Sequence, residues 1–200
     1  EQVIVDAWNS KRMHHAWLLC GPRGVGKATL AYRMARFALL NGGENAGGGL
    51  FGDVPTSLYV SPEDPVFRRI AGGGHGDLKV IERLYDEKKK RLQGEIVVEN
   101  VRAVGSFMSK TSAEGGWRVV IVDAADELNR NAANAILKVL EEPPANAMMI
   151  LIAHQPGRLL PTIRSRCRRL NLGTLNDDTL TSLLAQYCPS METDAIHALS

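Results

Sequence analysis

Cysteine is scarce in this sequence. Cys20, Cys167 and Cys188 are the three in 200 residues, widely separated and odd in number. That excludes a disulfide framework and a CxxC-type zinc site, and it points to a reducing, cytoplasmic setting. Long apolar runs are missing too: none approaches the roughly eighteen residues that a membrane-crossing helix requires. Nor does one sign of charge dominate. Lys and Arg number 24 against 22 Asp and Glu, leaving +2 at pH 7, so any hold on nucleic acid must come from a local patch. The opening Glu1-Gln2-Val3-Ile4-Val5-Asp6 has neither a methionine nor a basic stretch, and no signal peptide is read there. What is present is ordinary for a globular chain: 44% hydrophobic and 23% charged residues, enough for one α/β core. The last residues read as a helix cut short, so the sequence reads as a piece of a longer protein.

Hydrophobic periodicity orders the chain. Val3, Ile4, Ala7 and Trp8 recur at helical spacing, and Ala16-Trp17-Leu18-Leu19-Cys20 is a continuous apolar run of buried-strand type. A core-facing helix over 26–40 carries Leu30, Met34 and Phe37; Asn41-Gly42-Gly43 stops it and Gly47-Gly48-Gly49 prolongs the break. Ser61-Pro62-Glu63-Asp64 opens another helix, ended by Gly72-Gly73-Gly74. Further strands are predicted at Leu78–Ile81, Trp117–Val122, Ala147–Ala153 and Arg168–Leu172. Helices are predicted around Val97, Val101, Val104 and Met108, and around Ala133, Ile136, Leu137 and Leu140, the latter stopped by Pro143-Pro144. Strands separated by helices predict a parallel sheet covered on both faces. After Thr174 the pattern turns helical, with Asn176 as a cap before Leu180, Leu183, Leu184 and Tyr187, and another helix starting near Glu192. The expected division is an α/β domain over 1–174 and the beginning of a helical domain over 175–200.

Gly21-Pro22-Arg23-Gly24-Val25-Gly26-Lys27 stands between a predicted strand and a predicted helix, the setting of a phosphate-binding loop. There the glycines let backbone N–H groups close on phosphate oxygens, and Lys27 reaches the outer phosphates. The next residue should carry a hydroxyl for Mg²⁺, but Ala28 has a methyl group. Thr29 follows, and one helical step turns its side chain by about 100°, so it is no simple substitute.

Val119-Val120-Ile121-Val122-Asp123 has the form of a Walker B strand, whose aspartate supports Mg²⁺. Hydrolysis needs a neighbouring carboxylate to orient or deprotonate water. The position after Asp123 holds Ala124, while Asp126 and Glu127 lie further along the turn. The plainer reading of Asp123 is a turn cap. Both losses, at Ala28 and Ala124, predict a chain without independent ATPase activity.

With His14-His15-Ala16-Trp17, the phosphate loop, the Asp123 strand, Asn134-Ala135-Ile136-Leu137-Lys138-Val139-Leu140-Glu141-Glu142-Pro143-Pro144 and Arg164-Ser165-Arg166-Cys167 quoted, the sequence resembles the clamp-loader branch of the AAA+ ATPases. The resemblance covers nearly the whole chain and implies the AAA+ P-loop fold followed by the start of its helical lid. Among bacterial clamp loaders, which work within the DNA polymerase III holoenzyme, a nucleotidyltransferase complex, the missing Thr and Glu resemble the non-hydrolysing subunits. The resemblance implies ATP or ADP weakly bound by Gly21 to Thr29 and Asp123. It further implies an arginine finger, Arg166, reaching the γ-phosphate of a neighbouring subunit's ATP, and a role in loading the sliding clamp on primed DNA. Implied partners are the gamma/tau and delta subunits, with the clamp and primer-template DNA met through the assembled complex and no membrane. The rival within the family is an ATP-hydrolysing gamma/tau-type subunit, and outside it a nucleotide-sensing P-loop protein unconnected with replication.

Departures from the family pattern are informative. Many relatives hold a four-cysteine zinc module between the first helix and second strand, but 41–76 contains no cysteine and no zinc is expected. The sensor position after the fourth strand holds His154-Gln155 in place of Thr or Asn. By spacing alone, Arg158, Arg164, Arg166, Arg168 and Arg169 read as a solvated basic surface, and only the resemblance singles out Arg166. Lys88-Lys89-Lys90-Arg91 reads as a solvated loop or a DNA-phosphate contact. His14 and His15 read as polar contacts near the nucleotide site, and Trp17 and Trp117 as core residues in strands.

Overall fold

A computed structural model describes residues 1–43, 54–176 and 179–183. Helix α1 (Gln2–Asn9) leads into strand β1 (Ala16–Cys20), the phosphate loop and helix α2 (Lys27–Asn41). Helix α3 (Pro65–Ala71) starts where Asp64 accepts the Val66 N–H at 2.7 Å with proline at the first position. Strand β2 (Leu78–Glu82) follows, then a hairpin of β3 (Tyr85–Asp86) and β4 (Arg91–Leu92), helices α4 (Val98–Val101) and α5 (Val104–Ser109), and strand β5 (Arg118–Asp123). Helix α6 (Arg130–Glu141), strand β6 (Ala147–Ala153), helix α7 (Pro161–Arg164) and strand β7 (Arg168–Asn171) complete the order.

Five strands form a wholly parallel sheet in the order β2-β5-β6-β1-β7. Alternation sends neighbouring residues to opposite faces. On one face Leu18, Val120, Val122, Met149 and Leu151 pack with residues of α4, α5, α6 and α7. On the other, Trp17, Leu19, Val119, Ile121, Ile150 and Ile152 pack under α1, α2 and α3. Strands covered on both sides read as unbroken apolar runs, which is why β1 and β6 have the predicted bounds.

Three expectations are adjusted. Strand β5 begins one residue later than predicted, leaving Trp117 half-buried beside Trp8 with ring centroids 5.4 Å apart. Trp117 lies so close to Gly42 that a Cβ there would sit 2.1 Å from its ring. The helix expected around 97–108 is two helices, each turning a valine, Val101 and Val104, into the core beside α6. The charged stretch after Glu82 contains the β3–β4 hairpin, because the Asp86 carboxylate accepts the backbone N–H groups of Lys88 and Lys89 at 3.0 and 3.1 Å and fixes the turn. Gly47 to Gly49, Cys188 and most of the expected helical domain lie outside the described residues. Asn176 does accept the Thr179 N–H at 3.0 Å, as a cap should. Among the described residues no helix is long and apolar enough to cross a membrane.

Candidate functional site

In a parallel sheet the ligand-binding crevice lies beyond the carboxyl ends of the strands. The candidate nucleotide residues gather at that edge. The loop from Gly21 follows β1, Asp123 ends β5, and His154 follows β6. Gly21 passes so near the Leu172 carbonyl that a Cβ would meet its oxygen at 2.2 Å, whereas Gly24 and Gly26 take left-handed φ of 86°. Only glycine adopts these conformations without strain. Pro22 and Arg23 are exposed, Val25 and Gly26 half-buried.

Lys27 is 3% exposed and points back into its own loop, its Nζ donating to the carbonyls of Gly21 at 2.8 Å and Pro22 at 2.5 Å. Burial holds its pKa below the ordinary lysine value, opposed by the nearby charges of Asp123 and Asp126. A phosphate would have to draw the ammonium away from these two acceptors. Ala28 is half-buried against the α2 side of the core, and Thr29 points to solvent.

Beside the loop opens a cleft of about 250 Å³ lined by Arg23, Glu82, Arg83, Asp123, Ala124, Glu127 and His154, among others. Burial raises the pKa of Asp123, with the charge of His154 acting against it. His154 is held below the usual histidine value, first by burial and then by Lys27 and Arg23, and its Nδ1 is buried without a hydrogen-bond partner. Ala124 is 3% exposed, so the position after Asp123 offers the cleft only a methyl group.

The other two carboxylates of this turn have different work. The turn is a single 3-10 turn, Ala125–Glu127. Asp126 accepts the backbone N–H groups of His154 and Gln155 at 3.1 and 2.9 Å, which ties the turn to the end of β6. Glu127 sits between two guanidinium groups, Arg23 at 3.0 Å and Arg83 at 2.8 Å. Neither has a carboxylate free to activate water. These partners lie far away in sequence and follow no periodicity. Among the described residues no group of three or more His, Cys, Asp or Glu is arranged to hold a metal ion.

Arg166 lies elsewhere. It precedes β7, whose Arg168 pairs with Trp17 near the beginning of β1. Arg166 therefore belongs to the amino edge of the sheet, one strand length, roughly 17 Å for five residues, from its own phosphate loop. Its side chain is half-exposed, with Nη2 2.9 Å from Glu141 Oε1 and Nη1 donating to the Thr162 carbonyl at 3.0 Å. Arg168 stacks over the Trp17 ring at 5.0 Å, Arg169 donates to Asn171, and burial pushes the Cys167 thiol up to about 12.

His14 and His15 also sit at this amino edge, immediately before β1, and not near the phosphate loop as expected. They stack at 4.4 Å, and His14 Nδ1 lies 2.8 Å from the Ala16 carbonyl. A strand carries its two ends apart, so residues a few positions upstream of the loop are distant from it. The buried Asp77, absent from the sequence reading, is at this edge as well.

A family model described as DNA polymerase III, delta subunit, matches residues 1–176. The chain is 39% identical over 168 residues to DNA polymerase III subunit delta' of Pseudomonas aeruginosa, covering 84% of this chain and 46% of that protein. It is 31% identical over 186 residues to subunit delta' of Bacillus subtilis, covering 92% and 50%. The chain thus spans about half the length of the curated relatives it matches. A DNA polymerase III gamma subunit-related protein from Thermotoga maritima shares the fold at TM-score 0.57 and 18% identity, over 98% of this chain and 58% of that one. On the match over residues 1–176 and the likeness to these delta' subunits, the chain belongs to the DNA polymerase III delta-subunit family.

Proposed function

We propose that this chain is the P-loop portion of a non-hydrolysing, delta'-type clamp-loader subunit that acts on ATP in trans through Arg166 and helps load the sliding clamp on primed DNA. One observation carries the reading: Arg166 stands at the amino edge of the sheet, a strand length from its own phosphate loop, on a surface where a neighbour can meet it. Phosphoryl transfer builds charge on the equatorial oxygens, and a permanently charged guanidinium stabilises it. The chain's own site supports the same division of labour. Ala28 has no hydroxyl for Mg²⁺, Ala124 no carboxylate for water, and Glu127 is committed to Arg23 and Arg83. The chain's part is then structural and trans-acting, beside gamma/tau and delta subunits.

The glycine geometry and Lys27 fit a phosphate, while Ala28 does not fit a bound Mg²⁺. ATP or ADP is therefore expected to bind weakly, since Lys27 must leave two carbonyls, and Mg²⁺ should add little. Calorimetric titration of the full-length protein with and without Mg²⁺ checks this; a strong Mg²⁺ enhancement would overturn it. Full-length wild type should show no steady-state ATP turnover, the observation that separates this reading from a gamma/tau-type hydrolase.

Restoring both missing groups, Ala28→Thr with Ala124→Glu, should tighten nucleotide binding in the presence of Mg²⁺. It should yield at most slow turnover, because a neighbour's arginine and the lid are also required. Turnover by wild type at a rate typical of its ATP-hydrolysing relatives would defeat the assignment.

A further inference from the structure

Among Arg158, Arg164, Arg166, Arg168 and Arg169, only Arg166 forms an ion pair with a carboxylate among the described residues. Its partner, Glu141, is the last residue of α6, a helix rooted in the core by Ala132, Ala133, Ile136 and Leu140. The second contact comes from Thr162 in α7, which Ile163, fully buried, anchors beside α6. A residue from each of two helices thus engages one terminal nitrogen of the guanidinium. Arginine has five N–H donors in a fixed fork, so engaging one on each terminal nitrogen leaves three free.

We infer that Glu141 is a positioning residue for Arg166: it holds the guanidinium in place on the subunit surface, with the remaining donors available to a neighbour's phosphate. The inference rests on the trans-acting reading of Arg166. Without the carboxylate, Arg166 would sample many rotamers and lose that freedom on each encounter with the transition state. With it, most of the ordering precedes assembly. Glu141 also offsets part of the positive charge, so its contribution is geometric, and a neutral acceptor of the same shape should serve nearly as well.

The test uses the full-length protein reconstituted with the ATP-hydrolysing subunits, clamp and primed DNA. Glu141→Ala should lower kcat for the ATP site facing this subunit roughly tenfold with little change in KM. Glu141→Gln, which keeps Oε1 as an acceptor, should restore most of the rate. In an Arg166→Ala background, Glu141→Ala should cause no further loss, because a residue acting through Arg166 has nothing left to position. Glu141 is exposed enough for both variants to fold, which thermal unfolding verifies. A wild-type kcat in Glu141→Ala, or an equal loss in both backgrounds, overturns the inference while leaving Arg166 as the finger. An Arg166→Ala complex that hydrolyses normally removes the underlying reading itself.

Discussion

Arg166→Ala in the assembled loader is expected to abolish hydrolysis at the one ATP site facing this subunit, by roughly 10³–10⁵ in rate, and clamp loading with it. The isolated full-length protein should scarcely notice. The Arg166–Glu141 pair is half-exposed on both sides, with side chains 36% and 49% accessible. Such pairs contribute about 0.2–1 kcal/mol, so the melting temperature should fall by no more than about 4 °C. Arg168→Ala is the matched control. It removes a nearby charge and a contact over Trp17, worth about 0.5–1 kcal/mol, without removing the finger. Site-resolved ATPase assays should separate the two; equal losses would mean a diffuse basic patch, and an unimpaired Arg166→Ala complex would end the trans-acting proposal.

Asp77→Ala should have the largest effect on stability. Asp77 is completely buried just before β2 and lies 3.2 Å from Arg118 at the start of β5. Its carboxylate also accepts the Ser112 hydroxyl at 2.9 Å and the Ala113 N–H at 3.0 Å. Arg118 is 8% exposed, stacks on Phe107, and donates to the Thr111 carbonyl at 2.5 Å. Removing the carboxylate strands a buried guanidinium, a change that typically costs about 3–5 kcal/mol. At 2–4 °C per kcal/mol for a domain of this size, the melting temperature should drop by roughly 6–20 °C. Adding Arg118→Met should recover part of the loss, since an uncharged side chain needs no partner. Thermal unfolding of the single and double variants measures this, and a shift under about 2 °C for Asp77→Ala would refute the stranded-charge argument.

The two predictions fall on opposite sides of what could be read from residues alone. The sequence by itself determined the features whose physics is local. A strand buried on both faces must be apolar throughout, so Ala16–Cys20 and Ala147–Ala153 announced themselves with their bounds. A loop that closes on phosphate must have glycine at fixed intervals before a lysine, so Gly21 to Lys27 was legible, and so were its defects at Ala28 and Ala124. Side-chain chemistry present or missing within a few residues needs no fold to be seen.

Tertiary structure decided everything that depends on which distant residues meet. His14 and His15 looked adjacent to the loop in sequence, but the rise of β1 separates them from it. The charged hairpin formed because one aspartate, Asp86, captures two backbone N–H groups, a choice invisible in a tally of charges. Asp126 and Glu127 lie further along the turn from Asp123 in the sequence, but only the fold shows what engages them: Arg23 and Arg83 for Glu127, and the end of β6 for Asp126. Asp77 found Arg118, and Glu141 found Arg166, across separations that no periodicity encodes. An ion pair is made by proximity in space, and only the packing of α6 against α7 and of β2 beside β5 creates it.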